Sequence, residues 1–145
     1  MWKQYLKAAR LARKAHGSQK RAQGTPYYKH PMAVARLVWQ RGYTGAVIQA
    51  AYLHDVLEDC EMGMREFTSM FGHEVARLVY AVTKQLGETS EAYYLRVKAA
   101  GEEAMVLKRT DREHNNSELR YAPKCTCLHS KAAEKTAMMN KVFNQ

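Results

Sequence analysis

The segment AAYLHDVLED at residues 50–59 places four ionisable side chains in an otherwise apolar stretch. If the segment is helical, His54, Asp55, Glu58 and Asp59 share one face, because side chains three or four residues apart are neighbours on a helix. Their apolar surroundings predict that this face points into the protein. Burying three carboxylates and an imidazole is too costly unless a positive group lies among them. The segment therefore predicts a divalent-metal site, with His54 and Asp55 as adjacent ligands.

His30 is a further candidate ligand. It directly precedes Pro31, and proline is favoured at the first position of a helix, so we expect His30 near the start of a helix over about 31–40. Taken alone, His30 would be assigned a structural role, and the pair of His54 and Asp55 a surface or capping role. Their occurrence in one chain is what favours a metal.

The stretch 104–115 changes abruptly from apolar to polar. Its residues Lys108, Asp111 and Asn115 lie at spacings of three and four, so a cation, a carboxylate and an amide share one helical face. Asp111 is therefore a candidate fourth metal ligand, and Asn115 would face the same pocket one turn later. A solvated helix end with an internal Lys–Asp pair is the alternative.

The basic residues are unevenly distributed. Residues 1–54 contain ten Lys and Arg side chains and no Asp or Glu, whereas the rest of the chain has thirteen basic and fourteen acidic residues. This asymmetry predicts attraction for an anion, which could be a polyphosphorylated nucleotide, a nucleic acid or an acidic membrane. A merely solvated basic face is the alternative. Lys20 and Arg21 lie in a stretch rich in turn residues, which predicts an ordered loop.

The composition is that of a single globular domain over residues 1–145, with 46% hydrophobic and 26% charged residues. The longest apolar run is far shorter than a membrane span. Three cysteines, an odd number, favour a reducing compartment, so we expect a cytoplasmic protein. Cys125, Cys127 and His129 lie close together, but a structural zinc site normally has four ligands with wider cysteine spacing, so we do not predict one there.

Apolar periodicity predicts an all-α fold. The expected helices cover about 2–15, 31–40, 44–59, 64–70, 74–84, 89–100 and 130–143, with a loop over 117–129.

Several motifs together resemble one enzyme family. They are AHGSQKR at 15–21, GTPY at 24–27, His30-Pro31, LHDVLED at 53–59, Phe71-Gly72, Val82-Thr83, Leu107-Lys108, and Asp111-Arg112 with Asn115. Their order resembles the HD superfamily of metal-dependent phosphohydrolases. Over residues 5–116 it is similar to the hydrolase domain of RelA/SpoT-type alarmone enzymes.

The resemblance implies a compact helical HD bundle that binds one Mn²⁺ ion through His30, His54, Asp55 and Asp111. It implies removal of the 3′-diphosphate from the alarmone (p)ppGpp, with release of pyrophosphate and GDP or GTP. A synthetase domain does not fit into 145 residues, so we expect a small stand-alone hydrolase that could be paired in function with an alarmone synthetase.

The resemblance also implies roles for the other site residues. The residues matching Glu58 and Asp59 serve the attacking water in that family. Those matching Lys20 and Arg21 approach the phosphates and the nucleotide, and the one matching Asn115 contacts the nucleotide. From its charge alone, Lys108 is a further candidate for neutralising phosphate.

Other substrates and another class of function stay open at this point. An HD-type site could act on an adenosine alarmone, on the 2′-phosphate of NADPH or on a nucleoside 5′-monophosphate. A nucleic-acid-binding module that uses the basic first helix is less favoured, and its affinity would fall steeply with salt without requiring His54.

Overall fold

A computed structural model describes residues 1–122 and 126–145 of the chain. Helices form the regular secondary structure of these residues, beside one isolated backbone bridge between Lys20 and Pro26. In chain order the helices are α1 Trp2–His16, α2 Lys29–Gln40, α3 Ala46–Leu53, α4 Val56–Asp59, α5 Met64–Phe71, α6 His73–Ala81, α7 Ser90–Ala99, α8 Glu102–Glu118, a 3-10 helix Leu119–Tyr121, and α9 Thr126–Phe143. The predicted all-α fold is confirmed. None of the described helices combines the length and apolarity that crossing a membrane requires.

Helix α3 lies at the centre of the core and packs against α1, α2 and α6. Its buried side chains come from most of its circumference and not from a single stripe, as expected for a helix enclosed by others. They are Val47, Ile48, Gln49, Ala50, Ala51 and Leu53. Helix α8 packs against α2, α7 and α9. Helices α2, α3 and α8 therefore meet in the interior, where the candidate site lies.

The prediction of one continuous helix over 44–59 is wrong. Helix α3 ends at Leu53 and α4 begins at Val56, with His54 and Asp55 forming the turn between them. In a continuous helix, adjacent side chains point about 100° apart. The turn instead brings His54 Nε2 to 3.1 Å from Asp55 Oδ2, so that two neighbouring residues serve one site.

The prediction of a loop over 117–129 is also wrong in part. Helix α8 continues to Glu118 and is followed directly by the 3-10 helix, and α9 begins at Thr126. Helix α9 packs on α7, where the ring of Phe143 meets that of Tyr94 edge-on with a centroid distance of 5.8 Å. Helix α9 therefore lies against α7 and α8.

The expectation that Cys125, Cys127 and His129 do not form a zinc site stays a prediction. Cys125 lies outside the described residues, while Cys127 and His129 are exposed on α9.

A core truncation should be costly. Leu78 on α6 is fully buried, whereas Leu86, in the connection to α7, is fully exposed. We expect Leu78→Ala to lower the free energy of unfolding by about 2–5 kcal/mol, because it removes apolar burial and leaves a cavity. Leu86→Ala is the matched control and should change it by less than about 0.5 kcal/mol. Denaturant unfolding followed by circular dichroism measures both, and equal effects would contradict this core.

Candidate active site

Three elements bring the predicted metal ligands together: the start of α2, the turn between α3 and α4, and the middle of α8. His30, His54, Asp55 and Asp111 are all buried. The Nε2 atoms of His30 and His54 lie 2.9 Å and 3.3 Å from Asp111 Oδ1. His30 Nε2 also lies 3.7 Å from Asp55 Oδ2. Four residues from three distant segments of the chain thus share one centre.

The donor atoms at this centre fit a metal ion. His54 Nδ1 lies 2.7 Å from the carbonyl oxygen of Ala51, and a carbonyl can only accept, so Nδ1 carries the proton. His54 Nε2 then faces the carboxylates and makes no well-formed hydrogen bond among the described residues. Ligand atoms of His30, His54 and Asp111 all lie within 4.8 Å of one another. Converging buried nitrogen and oxygen atoms of this kind suit a divalent transition metal.

The pKa shifts indicate that the centre requires positive charge. Burial lowers the pKa of His54, but the carboxylates of Asp55 and Asp111 outweigh burial and raise that pKa well above its usual range. Burial raises the pKa of both carboxyls, yet His54 beside Asp55 and Lys108 beside Asp111 hold them below their usual range. Both carboxylates therefore stay ionised in the interior because positive charge adjoins them, and a metal ion at this centre would supply that charge in place of a proton on His54 Nε2.

Two further side chains on α8 hold Asp111 in place. Lys108 Nζ donates to Asp111 Oδ2 at 2.8 Å, and Asn115 Nδ2 donates to Asp111 Oδ1 at 3.0 Å. The three residues share a face of the helix, as their spacing predicts. On the other side, the Tyr27 hydroxyl donates to Asp55 Oδ2 at 2.7 Å. Sequence reasoning gave Tyr27 no role, and only its place in the GTPY motif could have indicated one.

Glu58 and Asp59 do not join the ligand cluster. Glu58 lies at the rim of the site, where its Oε1 accepts a hydrogen bond from the backbone N–H of Lys84 at 2.8 Å. Desolvation by the surrounding protein is the main cause that raises the pKa of Glu58. Both side chains are exposed, and the pKa of Asp59 is likewise raised by desolvation and by Asp55. Glu58 lines a cavity beside the candidate ligands and Asp59 does not, so Glu58 is the better placed of the two to act as a base.

The loop between α1 and α2 brings Arg21 to the site. The backbone N–H of Arg21 bonds to the Thr25 carbonyl at 2.9 Å, and Gly24, with φ of 88°, closes the turn. Arg21 Nη2 donates to Asn115 Oδ1 at 2.7 Å, and Arg21 Nε lies 3.0 Å from Glu118 Oε2. The predicted substrate residue Arg21 thus contacts Asn115 directly, whereas Lys20 is exposed at the edge of the loop.

Two adjoining cavities open beside the candidate ligands. One, of about 220 Å³, is lined by Asp55, Glu58, Lys108 and Asp111, and the other, of about 370 Å³, by the Arg21 loop and α9. Tyr27, Arg112, Asn115 and Lys135 line both. The basic side chains along the two walls are Lys20, Arg21, Lys84, Lys108, Arg112, Lys131 and Lys135. Sequence reasoning missed Arg112, Lys131 and Lys135, although the four-residue spacing of the two lysines places them on one face of α9.

His114 is another residue that sequence reasoning missed. Its Nδ1 lies 2.8 Å from His30 Nδ1, and its Nε2 lies 3.2 Å from Glu118 Oε1. The available signal was spacing, because Asp111, His114 and Glu118 follow one another at intervals of three and four residues.

Comparison with known proteins gives concordant results. GTP pyrophosphokinase of Streptomyces coelicolor is 35% identical over 127 residues, which cover 82% of this chain and 15% of that protein. Guanosine-3′,5′-bis(diphosphate) 3′-pyrophosphohydrolase of Aquifex aeolicus is 39% identical over 116 residues, covering 75% of this chain and 17% of that protein. The chain thus spans about a sixth of the length of these relatives.

A solved structure and a family model add to this. The structure, of a metazoan ortholog of SpoT that hydrolyzes ppGpp, matches with a TM-score of 0.79 at 24% sequence identity, covering 96% of this chain and 83% of that one. At this identity the match establishes the fold. The family model for the HD domain matches residues 8–125. Since that is most of its length, the chain belongs to the HD domain family.

Proposed function

We propose that this protein is a metal-dependent phosphohydrolase that removes the 3′-diphosphate of (p)ppGpp. The observation that carries the proposal is the convergence of His30, His54, Asp55 and Asp111 beside a cavity with basic walls. The names of the relatives support the choice of substrate. Within this proposal the resident ion is Mn²⁺, the activity is cytoplasmic, and a synthetase that makes (p)ppGpp is the functional partner.

In the proposed reaction, the ligands and the residues around them have separate roles. His30, His54, Asp55 and Asp111 would hold the ion, and a divalent ion there supplies activation of water and polarisation of a phosphoryl oxygen. Glu58 accepts the proton of the attacking water, for which its raised pKa is suited. Hydrolysis breaks the bond between the 3′ oxygen and phosphorus. The products are pyrophosphate and a 5′-phosphorylated nucleoside with a free 3′ hydroxyl.

The cations around the site favour a polyanionic substrate. Burial and the nearby cations Arg112, Lys108, Lys84 and Lys131 lower the pKa of Lys135. The buried Arg112 Nε atom has no hydrogen-bond partner among the described residues. Lys108 is paired with Asp111, but the other four of these cations form no ion pair among the described residues. They repel one another, and bound phosphate would reduce that repulsion. A nucleotide with phosphates at both ends could place one group near the ligands and the rest in the larger cavity.

Product analysis tests the proposal. The purified protein is supplied with Mn²⁺ and offered ppGpp, pppGpp, an adenosine 3′-diphosphate alarmone, NADPH and nucleoside 5′-monophosphates in separate reactions. We expect pyrophosphate together with GDP or GTP from the guanosine alarmones. Release of orthophosphate from NADPH or from a monophosphate, without any reaction of ppGpp, would contradict the proposal and favour another HD-type substrate.

Arg21 should matter at every ionic strength. Its guanidinium lies at the cavity wall, so Arg21→Ala removes a close charge-assisted contact and should raise KM or lower kcat by about 10-fold or more. Lys3, Arg10 and Lys14 on α1 are exposed and form the matched control. Neutralising them should slow encounter only at low salt, because such charges are screened beyond about 8 Å at physiological salt.

Steady-state kinetics at low and high salt compares the two variants. If the α1 variant lost more activity at high salt than Arg21→Ala, α1 would be a direct binding surface, and the nucleic-acid alternative would gain support.

A further inference from the structure

A chain of polar contacts runs from a proposed metal ligand to the Arg21 loop. His30 Nδ1 lies 2.8 Å from His114 Nδ1, and His114 Nε2 lies 3.2 Å from Glu118 Oε1. The second oxygen of Glu118 lies 3.0 Å from Arg21 Nε. Each of these side chains is at least partly shielded from solvent. The ligand on α2 and the loop on the cavity wall are thus joined through two residues of α8.

A single arrangement of protons satisfies all of these contacts once His30 binds a metal. His30 Nε2 is the nitrogen that faces Asp111, at 2.9 Å, and a metal-binding nitrogen must carry no proton. The proton of His30 then lies on Nδ1 and is donated to His114 Nδ1. His114 must in turn carry its own proton on Nε2, which lies 3.2 Å from the Glu118 carboxylate and faces its negative charge.

The contact between Glu118 and Arg21, at the other end of this series, favours the same arrangement of protons. The Arg21 guanidinium can only donate, and it forms an ion pair with Glu118 Oε2, which also accepts from the Gln23 side-chain amide. Glu118 is therefore held as an acceptor from both sides. The opposite tautomers would direct the lone pair of His114 Nε2 at the Glu118 carboxylate, which is unfavourable.

From these contacts we infer that His114 and Glu118 are positioning residues, which fix the tautomer and orientation of His30 for metal binding and couple the metal centre to Arg21. The inference rests on the metal assignment within the proposed function and does not depend on the identity of the nucleotide. Partners that hydrogen-bond to a metal-ligating histidine typically contribute about 10- to 100-fold to metal affinity. Glu118 contacts both His114 and Arg21, so the same side chain positions the support of the metal ligand and the loop on the cavity wall.

Metal affinity measured without substrate tests the inference. Mn²⁺ is titrated calorimetrically into metal-free wild-type protein, His114→Ala and His114→Asn. We expect His114→Ala to bind Mn²⁺ about 10- to 100-fold more weakly. In His114→Asn the amide oxygen can take the place of Nδ1 as acceptor, so much of the affinity should return. His73→Asn, at an exposed histidine on α6, is the matched control and should bind as the wild type does.

The coupling to the loop has its own measurement. Glu118→Ala and Arg21→Ala should each weaken Mn²⁺ binding, and the double variant should lose less than the sum of the two single losses, because Arg21 and Glu118 contact each other. Additive losses would overturn the coupling. Wild-type affinity in both His114→Ala and Glu118→Ala would overturn the inference as a whole.

The wild-type protein provides a test that needs no variant to fold. Nitrogen-15 spectra of the histidine rings, with diamagnetic Zn²⁺ at the centre, should show His30 protonated on Nδ1 and His114 protonated on Nε2. The reverse pattern, or no binding of either ion, would overturn the inference. If the wild type binds Mn²⁺ and shows the expected tautomers with Zn²⁺ but leaves ppGpp intact, the proposed substrate fails and this inference stands.

Discussion

Asp55→Ala is expected to abolish both metal retention and turnover. Asp55 is buried, its Oδ2 lies 3.1 Å from His54 Nε2, and it accepts the hydroxyl hydrogen bond of Tyr27. Removing it takes away one of the two proposed ligand carboxylates and part of the negative charge that would attract the ion. We expect Mn²⁺ affinity to fall by more than about 100-fold, because even the loss of an outer partner costs about 10- to 100-fold.

The measurement is the metal content of the purified protein together with calorimetric titration of Mn²⁺. Glu61→Ala is the matched control, since Glu61 is an exposed acid in the same segment of the chain. Circular dichroism of the metal-free Asp55→Ala protein establishes whether the fold is retained. Stoichiometric metal with intact activity in this variant would remove Asp55 from the ligand set.

Glu58→Gln should leave the metal bound and slow hydrolysis by about 10²- to 10⁴-fold, which is the usual contribution of a general base. The side-chain oxygen of glutamine can still accept the hydrogen bond from the Lys84 N–H, now 2.8 Å from Glu58 Oε1. The variant should therefore keep the position of the side chain and lose only its basicity. Metal binding and single-turnover rates measured on the same protein separate these two effects.

The pH dependence of the rate gives a second readout for Glu58. A base must be deprotonated to act, so the rate should fall as the pH drops through the raised pKa of Glu58. This acidic limb should lie above the usual glutamate range and disappear in Glu58→Gln. Glu61→Gln again serves as the control. A near-normal rate in Glu58→Gln would transfer the role to Asp59, which Asp59→Asn would then test.

Helical spacing was sufficient to predict how α8 contributes to the site. Lys108, Asp111 and Asn115 meet on one face because the backbone of a long regular helix fixes the relative directions of its side chains. The helix near His30 was also predictable, since Pro31 specifies a helix start. In both places local sequence and local geometry determine the outcome.

The turn between α3 and α4 could not be predicted in this way. Residues 50–59 contain no proline or glycine that would interrupt a helix. The interruption is stabilised by tertiary contacts that His54 and Asp55 make with His30, Asp111 and Tyr27. Those partners lie 24 or more residues away along the chain, where periodicity carries no information.

The contact between His30 and His114, and the placement of Lys135 beside Arg112, depend on tertiary structure in the same way. Each joins residues on different helices, so no pattern within one segment reveals it. The basic walls of the cavities are therefore a property of the folded chain.

The shortness of α4 gives the ligands and the base different freedom to move. Helix α4 is one turn, Val56–Asp59, which its own hydrogen bonds are too few to maintain. Of the proposed ligands, His30 and Asp111 lie on α2 and α8, which are longer and packed into the core. His54 and Asp55, in the turn before α4, are tied to those helices and to Tyr27 by their side-chain contacts. Local opening should thus begin at the turn that carries Glu58 while the ligands keep their arrangement. In the proposed reaction, Glu58 would then be free to move as substrate enters and product leaves, while the four proposed ligands keep their positions.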